Sequence, residues 1–256
     1  MDREQWAALI RPPFGDPEPV SVVNFVEVFN TSSRPALADA NDGHQYVIKG
    51  MQRGREIVNE LVIAEIGQAM NAPIPRGEVV QLDQAFIYAF PELLHFQPGY
   101  CYGSRFISGC TGRLSIRHID REENGDRFAR LVVLYGLTYV TPSVGDYNLM
   151  YTEPEPHLVF SFDHAKFFPD GPDWTSDSLE QVGPATINVD LAAQESLTPE
   201  HLEAALHDLR QVTDEQIARA VSLPPGRWNC DANERTALAM YLARRRDELT
   251  GLDTRH

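Results

Sequence analysis

Three side chains near the middle of the chain carry the oxygen ligands that a hard cation takes. In "VGDYNLMYTEPEPHLVFSFDHAKFF", Val144 to Phe168, the residues Asp146, Asn148 and Asp163 surround two stretches that read as short strands. Magnesium prefers oxygen donors and is usually held by one or two carboxylates together with substrate phosphates. The same residues also suit a polar β-hairpin in which Asp and Asn only shape turns. Asp163 leans toward a site, because a carboxylate behind the apolar run "VFSF" is costly to bury unless a cation or donors satisfy it. Asn148, in "DYNLMY", precedes a similar apolar pair and would supply the second metal oxygen.

A second constellation lies upstream. "NTSSRP" is a turn of small hydroxyl residues between two predicted strands. Its backbone amides around Thr31, Ser32 and Ser33 could bind phosphate oxygens, with the Ser32 and Ser33 hydroxyls as further donors. Lys49 ends the second of those strands and would supply a fixed positive charge; Glu60, in the following helix, could orient it through an ion pair, with Glu65 as the alternative on the same helix. Turn, lysine and glutamate in this order can hold a nucleotide triphosphate. The plainer readings are a strand-edge lysine facing water and a solvated helix face. His164 lacks a second His or Cys at ligand spacing and reads as a hydrogen-bonded structural residue, Lys166 as a phosphate contact or a solvent-facing charge, and Trp228 in "LPPGRW" as a core anchor.

The elements that must position these groups are legible in outline. "VSVVNFVEVFN" and "HQYVIKG" read as strands, with Asp42 and Gly43 marking a hairpin. "REIVNELVIAEIGQAMN", Arg55 to Asn71, is a helix with apolar residues at helical spacing, stopped by "APIP". "RGEVVQL", "QAFIYAF" and "YCYGSRFISG" read as further extended pieces, and "DRFARLVVLYGLTYV" as a helix buried on most sides. After Phe168 comes a long loop to Asp190, then three helices that start at Thr198, Thr213 and in "ANERTALAMYLARRRDELTG". The expectation is an α+β chain with a β-rich N-terminal region (1–108) that binds nucleotide and a mainly helical C-terminal region (109–256) that carries the metal-binding hairpin.

Composition narrows the function classes. A length of 256 residues with 43% hydrophobic and 23% charged residues fits a folded globular protein. The formal net charge of -15 disfavours direct binding to nucleic acid or to an anionic membrane surface. Cys101, Cys110 and Cys230 form neither a disulfide framework nor a zinc-type spacing, and their odd number suits a reducing compartment. The start of the chain lacks the pattern of a signal peptide and no stretch reaches the length of a membrane span, so a cytoplasmic location is expected.

Taken in order, "DGHQYVIK", "NELVIAEIGQAMNAPIP", "YGSRFI", "NLMY", "FDHAKFF" and "VSLPPGRW" followed by "ERTALAMYLARRR" resemble the HipA-like kinase family, in particular its short stand-alone bacterial branch, and more distantly the phosphatidylinositol kinases. The resemblance implies a two-lobed protein-kinase-like fold with ATP and magnesium as cofactors. It implies that Lys49 contacts ATP phosphates, that Asn148 and Asp163 bind magnesium, and that the strand from Tyr102 to Phe106 lies near the hinge that receives adenine. One departure stands out. The family places an acid several residues before the asparagine, whereas here Thr141 or Ser143 occupies that place in "TYVTPSVGDYN". Either the loop is shortened and Asp146 serves as the base, or the base is lost.

Three readings follow: an ATP- and magnesium-dependent phosphotransferase acting on a protein serine or threonine; a pseudokinase that keeps the nucleotide site or only the scaffold; and an unrelated acidic α+β binding protein.

Overall fold

The computed structural model describes residues 1–10, 18–112, 119–140, 148–187, 192 and 194–251. Helix α1 (Arg3–Ile10) precedes strands β1 (Val20–Val28), β2 (Ala36–Ala40) and β3 (Gln45–Lys49), then α2 (Arg55–Ala69), β4 (Gly77–Leu82), α3 (Gln84–Ala89) and β5 (Gly99–Arg105). Strands β1 to β5 close into a small barrel in the order β1-β2-β3-β5-β4, antiparallel except where β1 meets β4. Its interior is filled by Ala36, Ala38, Ala40, Tyr46, Ile48, Val80 and Cys101. The alanines leave room for the tyrosine and the branched side chains, as a narrow barrel requires. Gly103 has the same cause: a Cβ there would sit 2.4 Å from the Val80 side chain.

Beyond the barrel, β6 (Cys110–Thr111), α4 (Gly125–Thr138), β7 (Leu149–Thr152) and β8 (Val159–Ser161) follow, then α5 (Ser176–Gln181), α6 (Pro199–Gln211), α7 (Asp214–Ser222) and α8 (Ala232–Thr250). Strands β6, β7 and β8 form a second sheet. A continuous apolar core joins α2, α4 and α6 to α8, and α1 packs on α7 and α8. Helix α2 is buried almost all round, from Ile57 to Gly67, because the barrel covers one side and α7 another. This explains why it lacks a polar stripe. Among the described residues no helix is long and apolar enough to cross a membrane.

The architecture is the expected mixed α+β, β-rich at the N-terminal end and helical at the C-terminal end. Two local expectations are corrected. "QAFIYAF" is not a strand but the helix α3, followed by Phe90. Phe86 and Phe90, four residues apart, lie ring against ring with centroids 4.9 Å apart, and Ile87 turns into the barrel core. A short apolar run fits either period, and here tertiary contact selects the helical one. The stretch after Phe168 is likewise not a bare loop: it contains α5, whose Thr175 makes a reciprocal capping box with Ser178.

The C-terminal helix also fixes the entry to the central segment. Arg245 of α8 is buried and donates to the carbonyls of Gly136 and Leu137, at the last turn of α4. A cation at a helix C-terminus meets the unsatisfied carbonyls and the negative end of the dipole.

A candidate phosphate and metal site

Strand pairing explains why residues far apart in sequence meet. Leu149 stands opposite Ser161 in the β7–β8 pair, so Asn148 and Phe162 face each other just beyond it, and the Phe162 amide donates to the Asn148 carbonyl at 2.9 Å. The buried Asn148 side chain donates through Nδ2 to the carbonyls of Phe162 (2.9 Å) and Asp163. Asn148 and Asp163 are therefore locked side by side by backbone register, and the chain turns at Asp163 through a left-handed φ of 57°.

Lys49 comes to this pair from the barrel. It ends β3 opposite Tyr102 of β5, and alternation along the strand turns Ile48 into the barrel and Lys49 out of it toward α2. Lys49 is only 8% exposed, and its Nζ donates to Glu60 Oε1 and, at 2.6 Å, to Asp163 Oδ1. The two carboxylates differ in setting: the Glu60 side chain is 2% exposed and that of Asp163 53%. Glu60 also accepts from the backbone amide of His164. One lysine thus joins helix α2 to the β7–β8 hairpin.

The charges respond to this placement. Burial alone would lower the Lys49 ammonium, but Glu60 and Asp163 outweigh it and hold it protonated well above the ordinary lysine range. Burial pushes the Glu60 carboxyl up to about 7 against the pull of Lys49. For Asp163 burial is overcome by the Lys49 charge, so its carboxyl lies below the usual range. These directions agree with a single cation shared by two acids, of which the more exposed keeps its charge more readily.

Among the described residues no group of three or more His, Cys, Asp or Glu side chains could by itself hold a metal ion. The donor set fits magnesium nonetheless. Asp163 is half-exposed, and the Asn148 amide donates through its nitrogen to two carbonyls, while no hydrogen bond among the described residues engages its oxygen. Magnesium takes few protein ligands and completes its shell with phosphates and water.

The other expected residues lie around this centre. The turn holding Thr31, Ser32 and Ser33 links β1 to β2, and the pairing of Ala36 with Ile48 sets it beside the Lys49 end of β3. Thr31 and Ser32 are exposed and Ser33 half-buried, while the Thr31 amide already donates to Phe29. Tyr102 is buried against the α2 side of the barrel, and Phe106, half-buried, follows β5 where the chain leaves the barrel. Asp146, with Thr141 and Ser143, lies outside the described residues. A cavity of about 600 Å³ lies elsewhere, walled by Trp6, Leu179 and Tyr241, and none of the site residues lines it.

One positioning residue was not anticipated. Asn59, directly before Glu60, donates to the carbonyls of Ala165, Phe167 and Gly171. An amide inside the apolar run of α2 was the signal available in sequence. Behind Asp163, His164 has the hydrogen-bonded structural setting expected of it: the Tyr135 hydroxyl bonds Ser161 Oγ at 2.7 Å and Ser161 Oγ bonds His164 Nε2 at 3.0 Å. Burial drives the His164 imidazole down to about 3, so it stays neutral.

A kinase-like phosphotransferase is the class that the family match supports, and the fold agrees with it. Residues 22–250 match the HipA-like kinase family, and the chain belongs to it. The structure is similar to the crystal structure of a Helicobacter pylori proinflammatory kinase, CtkA, with a TM-score of 0.55 at 9% sequence identity, covering 87% of this chain and 90% of that one. At that identity the likeness is one of fold. No curated protein matches the chain.

Proposed function

We propose that the protein is an ATP- and magnesium-dependent phosphotransferase that phosphorylates a protein serine or threonine, with the barrel region 1–108 and the region 109–256 as its two lobes. The observation that carries this reading is the buried Lys49 bound at once to Glu60 and Asp163. Phosphoryl transfer depends chiefly on positioning and on neutralising phosphate charge. Lys49 would hold the phosphates, Glu60 orient Lys49, and the turn at Thr31, Ser32 and Ser33 cover the phosphates with amide and hydroxyl donors. Tyr102 and Phe106 would border the adenine. Asn148 and Asp163 would hold magnesium, which when bound supplies further positive charge to the phosphates. Asp146 would accept the proton of the substrate hydroxyl as its oxygen bonds to the γ-phosphorus and the bond to the β-phosphate oxygen breaks, releasing ADP.

The test is a thermal-shift titration with ATP and magnesium, separately and together, on wild type and Asp163→Ala. A ligand that binds only the folded state stabilises it by about 2.7 kcal/mol at a hundredfold excess over its Kd. Stabilisation that needs both ligands and disappears in the variant is the expected result; no shift at millimolar ATP overturns the reading. A pseudokinase is the second reading, favoured by Thr141 or Ser143 standing where the family carries an acid. Phosphate transfer from labelled ATP to any protein acceptor, lost in Asp146→Ala, decides against it.

A further inference from the structure

The chain from Asp163 to Trp174 follows an irregular path. Asp163, Phe168, Asp170 and Gly171 all have left-handed φ, between 57° and 73°. Three of these are not glycine, a conformation that L residues adopt only when their surroundings impose it. Such a path has few regular backbone bonds: the amides of Phe167 and Gly171 donate back to His164 and Phe168, and that of Phe168 to Thr138. The carbonyls on the α2 side need another donor, since a buried backbone acceptor without a partner is costly.

Asn59 is that donor. It is fully buried in the middle of α2, and its Nδ2 lies 2.9 Å from the Ala165 carbonyl and 3.2 Å from those of Phe167 and Gly171. An amide nitrogen has two hydrogens, so one of them is shared between two acceptors. The amide cannot turn over, because its oxygen accepts the Trp174 indole N–H at 2.8 Å. One helical turn earlier, Arg55 lies over the Trp174 ring at 4.4 Å, donates to the Trp174 carbonyl at 2.6 Å and pairs with Glu234 of α8. Glu60, the next residue after Asn59, takes Lys49 and the His164 amide. Two consecutive residues of α2 therefore hold the segment on both sides of its turn, Glu60 at the amide just after Asp163 and Asn59 at the carbonyls beyond.

We infer that Asn59 is a positioning residue for the metal site, setting the backbone that aims the Asp163 carboxylate, and that Trp174 in turn fixes the Asn59 amide. This rests on the proposed role of Asp163 as a magnesium ligand. A residue that only stabilised the fold would leave the metal requirement of the folded protein unchanged. Asn59, which touches neither Lys49 nor a phosphate-facing group, controls that requirement without controlling nucleotide contact.

The experiment compares wild type, Asn59→Ala and Trp174→Phe in two measurements. The first is hydrogen exchange of the unliganded full chain, with the backbone amides from 164 to 174 compared against the rest of the chain. The second is calorimetric titration with ATP in EDTA, followed by magnesium titration of the ATP-loaded protein. Expected are a loss of protection confined to 164–174 and a magnesium half-saturation at least tenfold higher in Asn59→Ala, with ATP affinity in EDTA changed less than twofold. Trp174→Phe, which keeps the three carbonyl bonds, shows the same pattern at smaller size and carries the test if Asn59→Ala does not fold. Unchanged exchange, or magnesium and metal-free ATP constants that move together, overturns the inference. If wild type itself binds neither ATP nor magnesium, the phosphotransferase reading fails and the metal role assigned to Asn59 fails with it. Unchanged magnesium response against a responsive wild type removes only the role of Asn59.

Discussion

Asp163 and His164 are neighbours in the chain, yet they belong to two networks of opposite character. On one side Asp163 joins Lys49 and Glu60 in an ionic cluster with one half-exposed member. On the other His164 joins Ser161 and Tyr135 in a neutral cluster sealed in the core. Both draw on the β7–β8 hairpin and the residues just after it, the ionic one with Lys49 of β3 and Glu60 of α2, the neutral one with Tyr135 of α4. The difference is what each leaves unfinished. The neutral network lies wholly in the core, and burial keeps His164 uncharged. The ionic one places two carboxylates on one cation and leaves the outer carboxylate facing open space, so it can exchange partners. Unequal ionisable groups near an opening mark a functional site more reliably than buried polarity does.

The comparison breaks most visibly at Lys49. Lys49→Met leaves Glu60 buried without its cation, and loss of one partner of a buried pair typically costs about 3–5 kcal/mol. Urea denaturation at pH 8 should register a loss of this order; a change below about 1 kcal/mol would place the cluster outside the energetics of the fold.

Acid titration sharpens the contrast, because the two networks have opposite signs. Glu60 in the folded state ionises at about 7, above its ordinary 4.5, so its contribution is fully present below 4.5 and is lost as pH rises through 7. His164 ionises at about 3, below its ordinary 6.5, so its contribution is present above 6.5 and is lost as pH falls toward 3. Between pH 4.5 and 6.5 the two oppose each other in the wild type. In Glu60→Gln the stability from urea denaturation should therefore fall as pH drops through this window, and in His164→Asn it should rise, each with a slope approaching one proton. Parallel slopes in the two variants would show that the networks titrate as one unit.

A smaller effect is expected from Tyr135→Phe, which removes the 2.7 Å bond to Ser161. The loss of one buried hydrogen bond amounts to about 1–2 kcal/mol. Melting should reveal that loss while the response to ATP and magnesium stays as in wild type; an altered response would join the neutral network to the site.

The smallest change in stability belongs to Asp163→Asn. Because the carboxylate is half-exposed, its pairing with Lys49 should be worth less than about 1 kcal/mol. The same substitution should abolish the magnesium-dependent part of ATP binding, measured by calorimetry. Full retention of that dependence would remove Asp163 from the metal site.

Much of this was readable in the chain. Alternation placed Lys49 at the end of a strand, pointing opposite to Ile48, and the helical pattern from Arg55 to Asn71 placed Glu60 on α2. Short apolar runs around Asn148 and Asp163 gave β7 and β8, and capping residues gave the starts of α6 and α7. These are local signals, carried by side-chain period and backbone chemistry within a few residues. "QAFIYAF" was misleading for the same reason: seven residues do not separate the two periods, and the ring contact of Phe90 with Phe25 of β1 that favours the helix is not local.

Residue types and their order alone determined the α+β composition, the lysine, the glutamate and the two oxygen donors of the hairpin. Only the tertiary structure decided that Lys49 reaches Asp163 across 114 residues, that Glu60 is the glutamate it meets, and that Asn59 holds the segment beyond. It also made His164 neutral while its neighbour stays charged. The physical reason is common to all four. Pairing partners, burial and the resulting ionisation depend on which surfaces the fold brings together, and no local period in the sequence records that.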